Sequence, residues 1–362
     1  MSMGAPAIVP VIMCGGAGSR LWPLSVEAAP KPFHAFNGAR SLFQETVLRV
    51  SANDEIAVLA PIIVCGQGHR GIVEEQLAAL GVAPAAIVLE PCGRNTAPDA
   101  AVAAHLVAER FPGALILLLA ADHQIADAAA FRRAAARGAA TAQAHIVTFG
   151  VKPSGPETGY GYIQRAAPLG PGVDGVVRFV EKPDAAVAQA YLDSGDYLWN
   201  AGIFLFSPAL FLRELRANRA DIADAAIAAI PAGGSPVVLL DADGFAACPA
   251  ESIDYAVMEH TKVAAVAPCD VGWADVGSWS EVWRLGDHDA AGNLSHGPTV
   301  TLETSGSLIW SDGLVVATIG VEDLIIVATA EGVLVAPRSR AQDVKAVTAA
   351  LAQRQKDKGA RS

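Results

Sequence analysis

Short apolar runs alternate with stretches of helical periodicity through residues 7–150, and this alternation constrains the fold more than any other feature. The runs are Ala7–Cys14, Pro61–Cys65, Ala86–Glu90, Ala114–Ala121 and His145–Gly150. Each is too continuously apolar for a strand with one wet face, so each predicts a strand buried on both sides. Between them the pattern predicts helices over 41–48, opened by Ser41 with Gln44 three residues on, over Ile72–Leu80, over Ala97–Arg110 with Thr96 as cap, and over Asp127–Ala144. Strands separated by helices build an α/β fold with a mostly parallel, doubly covered sheet. Right-handed crossovers then bring the strand C-termini to one edge, where ligands bind.

The texture changes after Lys152. Pro153, Gly155, Pro156, Gly159 and Gly161 predict a loop-rich insertion, and Val176–Val180 a strand ending at Glu181-Lys182-Pro183. Trp199–Phe206 leads into a helix over Pro208–Ala217. Past Asp289 helical periodicity is lost. Residues Thr299–Val335 read as short strands punctuated by Gly and Asp, a small β module with a solenoid-like turn or two, followed by a closing helix over Ala341–Gln355. The expected division is 1–288 and 289–362. A chain of 362 residues that is 52% hydrophobic suffices for one large core plus a smaller module.

A net charge of −11 without a basic tract argues against nucleic-acid and anionic-membrane partners. Cys14, Cys65, Cys92, Cys248 and Cys269 are scattered and odd in number, as expected of reduced thiols. No basic residue precedes Arg20, as a secretory leader would require, and no apolar run approaches the roughly 18 residues of a membrane helix. A cytoplasmic location is expected.

The first apolar run leads directly into Gly15-Gly16-Ala17-Gly18-Ser19-Arg20-Leu21-Trp22-Pro23-Leu24-Ser25, with Pro30-Lys31-Pro32 beyond. Three glycines in four residues let the backbone turn tightly and present its N–H groups to a large anion. Arg20 and Lys31 add two cations, a combination suited to a polyphosphate. No Gly-Lys-Ser/Thr occurs, so this is not a Walker loop, and Leu21 stands where the dinucleotide fingerprint needs its third glycine. That fingerprint is matched instead by Gly66-Gln67-Gly68-His69-Arg70-Gly71 between a strand and a helix, with Glu90 about twenty residues on. It supports a second reading, an NAD-dependent oxidoreductase, for which no hydride-transfer site follows in the chain.

Other candidates lie at strand ends. Arg94 and Asn95, in Gly93-Arg94-Asn95-Thr96-Ala97-Pro98, offer fork-like and amide donors to a planar base or a phosphate. Asp122 ends the most aliphatic strand, and Asp275 stands between glycines and tryptophans in Gly272–Trp279. Either acid can contribute to holding Mg²⁺, which takes one or two carboxylates plus phosphate oxygens. Glu181, Lys182 and Asn200 suit a sugar phosphate, with acceptors for hydroxyls and a cation for the phosphate. Thr158–Tyr162 lets backbone approach the same ligand.

In this order the segments resemble the mannose-1-phosphate guanylyltransferases, the GDP-mannose pyrophosphorylases among the sugar nucleotidyltransferases, over nearly the whole chain. The discriminating stretches are Gly93–Pro98, Phe179–Pro183, Trp199–Gly202, Ser252–Glu259 and Gly272–Trp279; Gly320–Leu324 and Arg340–Val344 fit the C-terminal portion. Ser19 stands for a commoner Thr, and Ala120-Ala121 for the more usual Pro-Ser/Ala before Asp122. The resemblance implies a Rossmann-like mixed sheet of the nucleotide-diphospho-sugar transferase type. It also implies Mg²⁺-dependent transfer of GMP from GTP to α-D-mannose 1-phosphate by direct in-line attack. It would put the triphosphate on Gly15, Gly16, Gly18 and Arg20, and Lys31 near the α-phosphate. Arg94 and Asn95 would lie near the nucleoside and Mg²⁺ on Asp122 and Asp275. The mannose 1-phosphate would sit on Gly161, Glu181, Lys182 and Asn200. Transfer to another sugar 1-phosphate, and an inactive regulatory homologue, remain alternatives; oligomeric state is open, a homodimer among the options. A single activity is expected, without the cupin-type isomerase domain of larger relatives.

Overall fold

The computed structural model describes residues 6–16, 18–51 and 55–359; Ala17 of the glycine-rich stretch lies outside them. The chain packs as two units. The first runs up to Gly15 and over Gln44–Ala274, and the second over Gly16–Phe43 and from Asp275 on. The sequence divides the chain after residue 288, whereas the packing divides it after Ala274. The reason is a shared core: Val276, Trp279 and Val282 are buried with Leu294, Leu308 and Trp310, and Leu21, Phe36 and Leu42 join them.

The first unit contains β1 (Ile8–Met13), β2 (Ile62–Gly66), β3 (Ala86–Glu90), β4 (Leu115–Ala120), β5 (Gln124–Ile125), β6 (Ile146–Val151), β7 (Gly161–Gly170), β8 (Val173–Glu181), β9 (Tyr197–Phe206), β10 (Val237–Leu239), β11 (Ala264–Pro268) and β12 (Trp273–Ala274). Ten of these form a mixed sheet in the order β10-β3-β2-β1-β4-β9-β6-β11-β8-β7, while β5 and β12 pair separately. The ladder from β10 through β4 is parallel, built by the continuous apolar runs, and β1 is buried along its whole length. Strand β9 enters antiparallel to both β4 and β6. The parallel strands β1 to β4 thus deliver Cys14–Gly15, Gly66, Glu90 and the segment leading to Asp122 to one sheet edge.

Helices α1 (Leu42–Arg49), α2 (Arg70–Leu80), α3 (Thr96–Arg110), α4 (Ala128–Ala139), α5 (Ala185–Ser194), α6 (Pro208–Ala228) and α7 (Ala242–Ala247) complete the crossovers. Helix α6 continues past the expected end at Ala217, through a non-helical Arg219 at φ −144°, because Ile222, Ala223 and Ala226 are fully buried beyond it. The cap of α3 is Asn95, whose Oδ1 accepts from Thr96 N–H at 2.9 Å; the expected cap, Thr96, instead accepts from Ile253 N–H at 2.9 Å. Strand β7 was not legible in the sequence. Over Tyr162–Gln164 it pairs with both β8 and β9, and only its second half, with Pro168 and the later register irregularities, is an edge, where a proline is tolerated.

In the second unit, α8 (Trp279–Leu285) precedes β13 (Leu294–His296), β14 (Thr299–Leu302), β15 (Leu308–Ser311), β16 (Val316–Ile319), β17 (Leu324–Thr329), β18 (Gly332–Pro337) and the closing helix α9 (Val344–Gly359). Strands β13, β15 and β17 stack in parallel, as do β14 and β16, so the chain coils as a short solenoid. Leu294, Leu308 and Ile325 align as one buried ladder, and antiparallel β18 closes its edge. Among the described residues no helix is long and apolar enough to cross a membrane.

Candidate active site

The candidate residues of the glycine-rich loop in the second unit are fixed by packing. Gly18 has φ +55° and opens a 3-10 turn over Ser19–Leu21. A Cβ there would lie 2.6 Å from both Lys31 Cβ and Ser25 Oγ, so the loop lies directly on the Lys31 segment, a contact only glycine permits. Lys31 is 5% exposed, and its Nζ donates to the backbone carbonyl of Asp275. Arg20 is exposed, as is Gly16, at φ +92°. Asp275 precedes Val276, a fully buried β-branched residue held at φ +48°, a conformation that costs on the order of 1–3 kcal/mol and survives where packing imposes it. Gly277 N–H donates to Asp275 Oδ1 at 3.2 Å. Ser278 caps α8, and Trp279 Nε1 donates to Trp22 O at 2.9 Å, tying the Asp275 loop to the segment that follows the glycines.

In the first unit, Gly15 is exposed just beyond β1 and Asp122 follows β4. Asp122 Oδ1 lies 3.7 Å from His123 Nε2. Trp273 Nε1 donates to His123 Nδ1 at 3.3 Å, which makes Nδ1 the acceptor and turns the proton-bearing Nε2 toward Asp122. Arg49, 4% exposed, donates to His123 O at 3.1 Å, and burial pulls its pKa down to about 10. The Asp122–His123 turn is therefore held from both sides. Neither Arg49 nor Trp273 was singled out in the sequence as belonging to this site.

Arg94 donates through Nε to Phe245 O at 3.3 Å and through a terminal nitrogen to Ala246 O, so the α7 backbone fixes its guanidinium plane. Asn95, exposed at φ +66°, uses its carbonyl oxygen in the α3 cap. The fingerprint at Gly66–Gly71 is differently employed. Its acid, Glu90, is 7% exposed and hydrogen-bonded to buried Asp99. Burial raises both carboxyls, so the pair retains a proton in place of a ribose contact.

The sugar-phosphate candidates form a cluster in the first unit. Asn200 on β9 lies opposite Gly150, beside an irregularity in the β6–β9 register that redirects the strand. Its Oδ1 accepts from Thr148 Oγ1 at 2.7 Å and from Gly202 N–H at 3.2 Å, and its Nδ2 donates to Asp254 at 2.9 Å. Gly161 pairs with Glu181 across β7 and β8. Lys182, at φ +49°, donates through Nζ to Glu181 Oε1 at 2.8 Å; Glu181 Oε2 is buried without a hydrogen-bond partner. Tyr160 packs edge-on against both Trp199 and Trp273, with centroids 5.2 and 5.1 Å away, walling this cluster toward His123. Sequence reasoning missed Thr148, Gly202 and Asp254.

The structure thus brings Gly161, Glu181, Lys182 and Asn200 together in one unit, and Gly18, Lys31 and Asp275 in the other. Among the described residues no group of three or more His, Cys, Asp or Glu is placed to hold a metal.

The nucleotidyl transferase family matches residues 9–292, and the family described as a MannoseP isomerase/GMP-like beta-helix domain matches residues 297–351. The chain is 47% identical to the xanthan biosynthesis protein XanB of Xanthomonas campestris pv. campestris, across 95% of this chain and 73% of that protein. It is 44% identical to the mannose-1-phosphate guanylyltransferase of Escherichia coli K12, with the same coverage. The crystal structure described as mannose-1-phosphate geranyltransferase from Thermus thermophilus superposes with a TM-score of 0.81 at 31% identity, covering 95% of this chain and 99% of that one. A Rossmann-like mixed sheet and a small β solenoid in one chain, under these two family matches, mark a nucleotidyltransferase. The chain belongs to the nucleotidyl transferase family, among its mannose-1-phosphate guanylyltransferases.

Proposed function

We propose that this chain transfers GMP from GTP to α-D-mannose 1-phosphate, giving GDP-mannose and pyrophosphate. The observation that carries this reading is the 44% identity, across 95% of the chain, to a protein named for that activity. A phosphate oxygen of the sugar attacks the α-phosphorus of GTP in line, and the bond to the bridging oxygen of the leaving pyrophosphate breaks. No protein nucleophile is required, only positioning and charge neutralisation. The thiol nearest the glycine loop in sequence, Cys14, supports direct attack: burial pushes its pKa well up, so it carries no thiolate.

The backbone of Gly15, Gly16 and Gly18 and the side chain of Arg20 hold the triphosphate, and Lys31 neutralises charge at the α-phosphate. The buried, anchored stem of Lys31 supports its role. Arg94 and Asn95 contact the nucleoside. Gly161, Glu181, Lys182 and Asn200 bind the mannose 1-phosphate, where a buried acceptor without a partner, Glu181 Oε2, suits a sugar hydroxyl.

Asp122 and Asp275 fit Mg²⁺ by donor chemistry, both being hard carboxylate oxygens. The ion, when bound, neutralises the phosphates and aligns their oxygens. A GTP substrate and reduced, unpaired cysteines fit a cytoplasmic enzyme.

The test is pyrophosphate release by the purified protein across a panel of nucleoside triphosphates and sugar 1-phosphates. GTP with mannose 1-phosphate is expected to exceed every other pair. A different best pair would replace this reading with another sugar-nucleotide synthesis, and release from none would leave a binding protein.

A further inference from the structure

Asp254 opens the π-turn Asp254–Met258 within the Ser252–Glu259 segment. Its carboxyl Oδ1 accepts from Asn200 Nδ2 at 2.9 Å. Both lone pairs of Asn200 Oδ1 are already taken by Thr148 and Gly202, so the orientation of the amide is fixed and one N–H of Nδ2 is left for a ligand. Gly161 sits between Asn200 and Glu181: a Cβ there would lie 3.2 Å from Asn200 Cβ and 2.5 Å from Glu181 Oε2. The Glu181 side chain is 8% exposed, with Oε2 unpartnered. Asp254, through Asn200, and Glu181, through Gly161, are thus both acids of the proposed half-site, and Lys182 on Glu181 is its lysine.

We propose that Asp254 is a positioning residue of the sugar-phosphate half-site, holding the Asn200 amide through one carboxyl oxygen and carrying a proton while a dianionic sugar phosphate is bound. This rests on the assignment of Glu181, Lys182 and Asn200 to that substrate. Burial of the carboxyl first, and the Glu181 charge second, push the Asp254 pKa up to about 7, against the hydrogen bond from Asn200 and the Lys182 cation. The groups around it are Glu181 and Lys182 at the end of β8, Tyr255 and Glu259 on its own turn, and Glu214 on the packed helix α6, which accepts from Thr261 Oγ1 at 2.8 Å. Ionisation would set a second buried negative charge beside Glu181 and repel the dianion. Sugar phosphates carry their second charge above a pKa of about 6, so both conditions hold in a window near neutrality, and binding weakens as pH rises through about 7.

The test compares wild type with Asp254→Asn and Asp254→Ala in steady-state kinetics from about pH 6.5 to about pH 8.5. In wild type the KM for mannose 1-phosphate is expected to rise about tenfold across that range, with the KM for GTP unchanged. Asp254→Asn keeps an acceptor for Asn200 and cannot ionise, so its KM should stay flat. Asp254→Ala loses the acceptor and should show a raised KM at every pH. Thermal melting gives a readout independent of turnover. An acid with a raised folded-state pKa lowers stability as pH rises toward that pKa, so Asp254→Asn should melt above wild type at about pH 8.5 and level with it at about pH 4. Parallel KM profiles in an active wild type and Asp254→Asn overturn the proposal while leaving the function intact. A wild type that turns over sugar phosphates only with KM values indifferent to Glu181→Ala overturns the half-site assignment and this inference with it.

Discussion

Gly161 and Glu181 pair across β7 and β8, and a Cβ on Gly161 would come 2.5 Å from Glu181 Oε2, so a side chain there would displace that carboxylate. Glu181→Ala removes the buried acceptor and is expected to raise the KM for mannose 1-phosphate by about tenfold or more, the cost of roughly 1–3 kcal/mol for one substrate hydrogen bond. The KM for GTP should not move. Wild-type kinetics for both substrates would make Glu181 structural. In the second unit Gly18 has the same standing with Lys31. Gly18→Ala meets both a left-handed φ and Cβ contacts of 2.6 Å, so the loop must shift off Lys31. A loss of about 1 kcal/mol or more in stability is expected by denaturation, together with a fall in kcat. Unchanged turnover would show that Lys31 does not depend on the loop. The glycines and cations were legible because chemistry restricts which residues can serve there. Asp254 was not, since one acid in an otherwise apolar stretch carries no pattern of its own until the fold sets it against Asn200.

Elements read well from sequence where burial makes them uniform. Strands β1 to β4 were legible within a residue or two because both their faces are covered, which leaves runs that are almost wholly apolar. Strand β7 was hidden because its edge half admits Pro168 and polar side chains, and the length of α6 because its kink at Arg219 interrupts the periodicity. The link between α1 and the Asp122 turn was equally invisible: Arg49 reads as a helix-end base, yet it is buried on the His123 carbonyl. Arg49→Met deletes a charged donor and leaves that carbonyl unsatisfied, an effect of about 1.5–3 kcal/mol. The expected outcome is a lowered melting temperature and a higher Mg²⁺ concentration for half-maximal rate, whereas Arg49→Lys should recover part of both. A variant with wild-type metal dependence would separate Arg49 from the Asp122 turn.

At the scale of the whole molecule, the chain distributes its candidate groups over two packing units, and the proposed function requires both. Asp122 belongs to one and Asp275 to the other. Asp122→Asn and Asp275→Asn are each expected to lower turnover by about a hundredfold or more, as loss of a key electrostatic contact does. The double variant should be little worse, because groups that act as a unit are not additive. Chelation of divalent metal should abolish turnover, and either single variant retaining its rate and its Mg²⁺ dependence would remove that acid from the metal site. The division of labour was only partly legible: the β module is apparent from its punctuation, but the grouping of the glycine loop with it arises from Leu21 and Trp279 sharing one core.

The central claim is direct transfer between two bound substrates with no guanylyl-enzyme, and exchange of labelled pyrophosphate into GTP tests it most directly. The account predicts label in GTP only when mannose 1-phosphate is present, because reversal requires GDP-mannose. Exchange at full rate without any sugar phosphate would demand a covalent intermediate and contradict it.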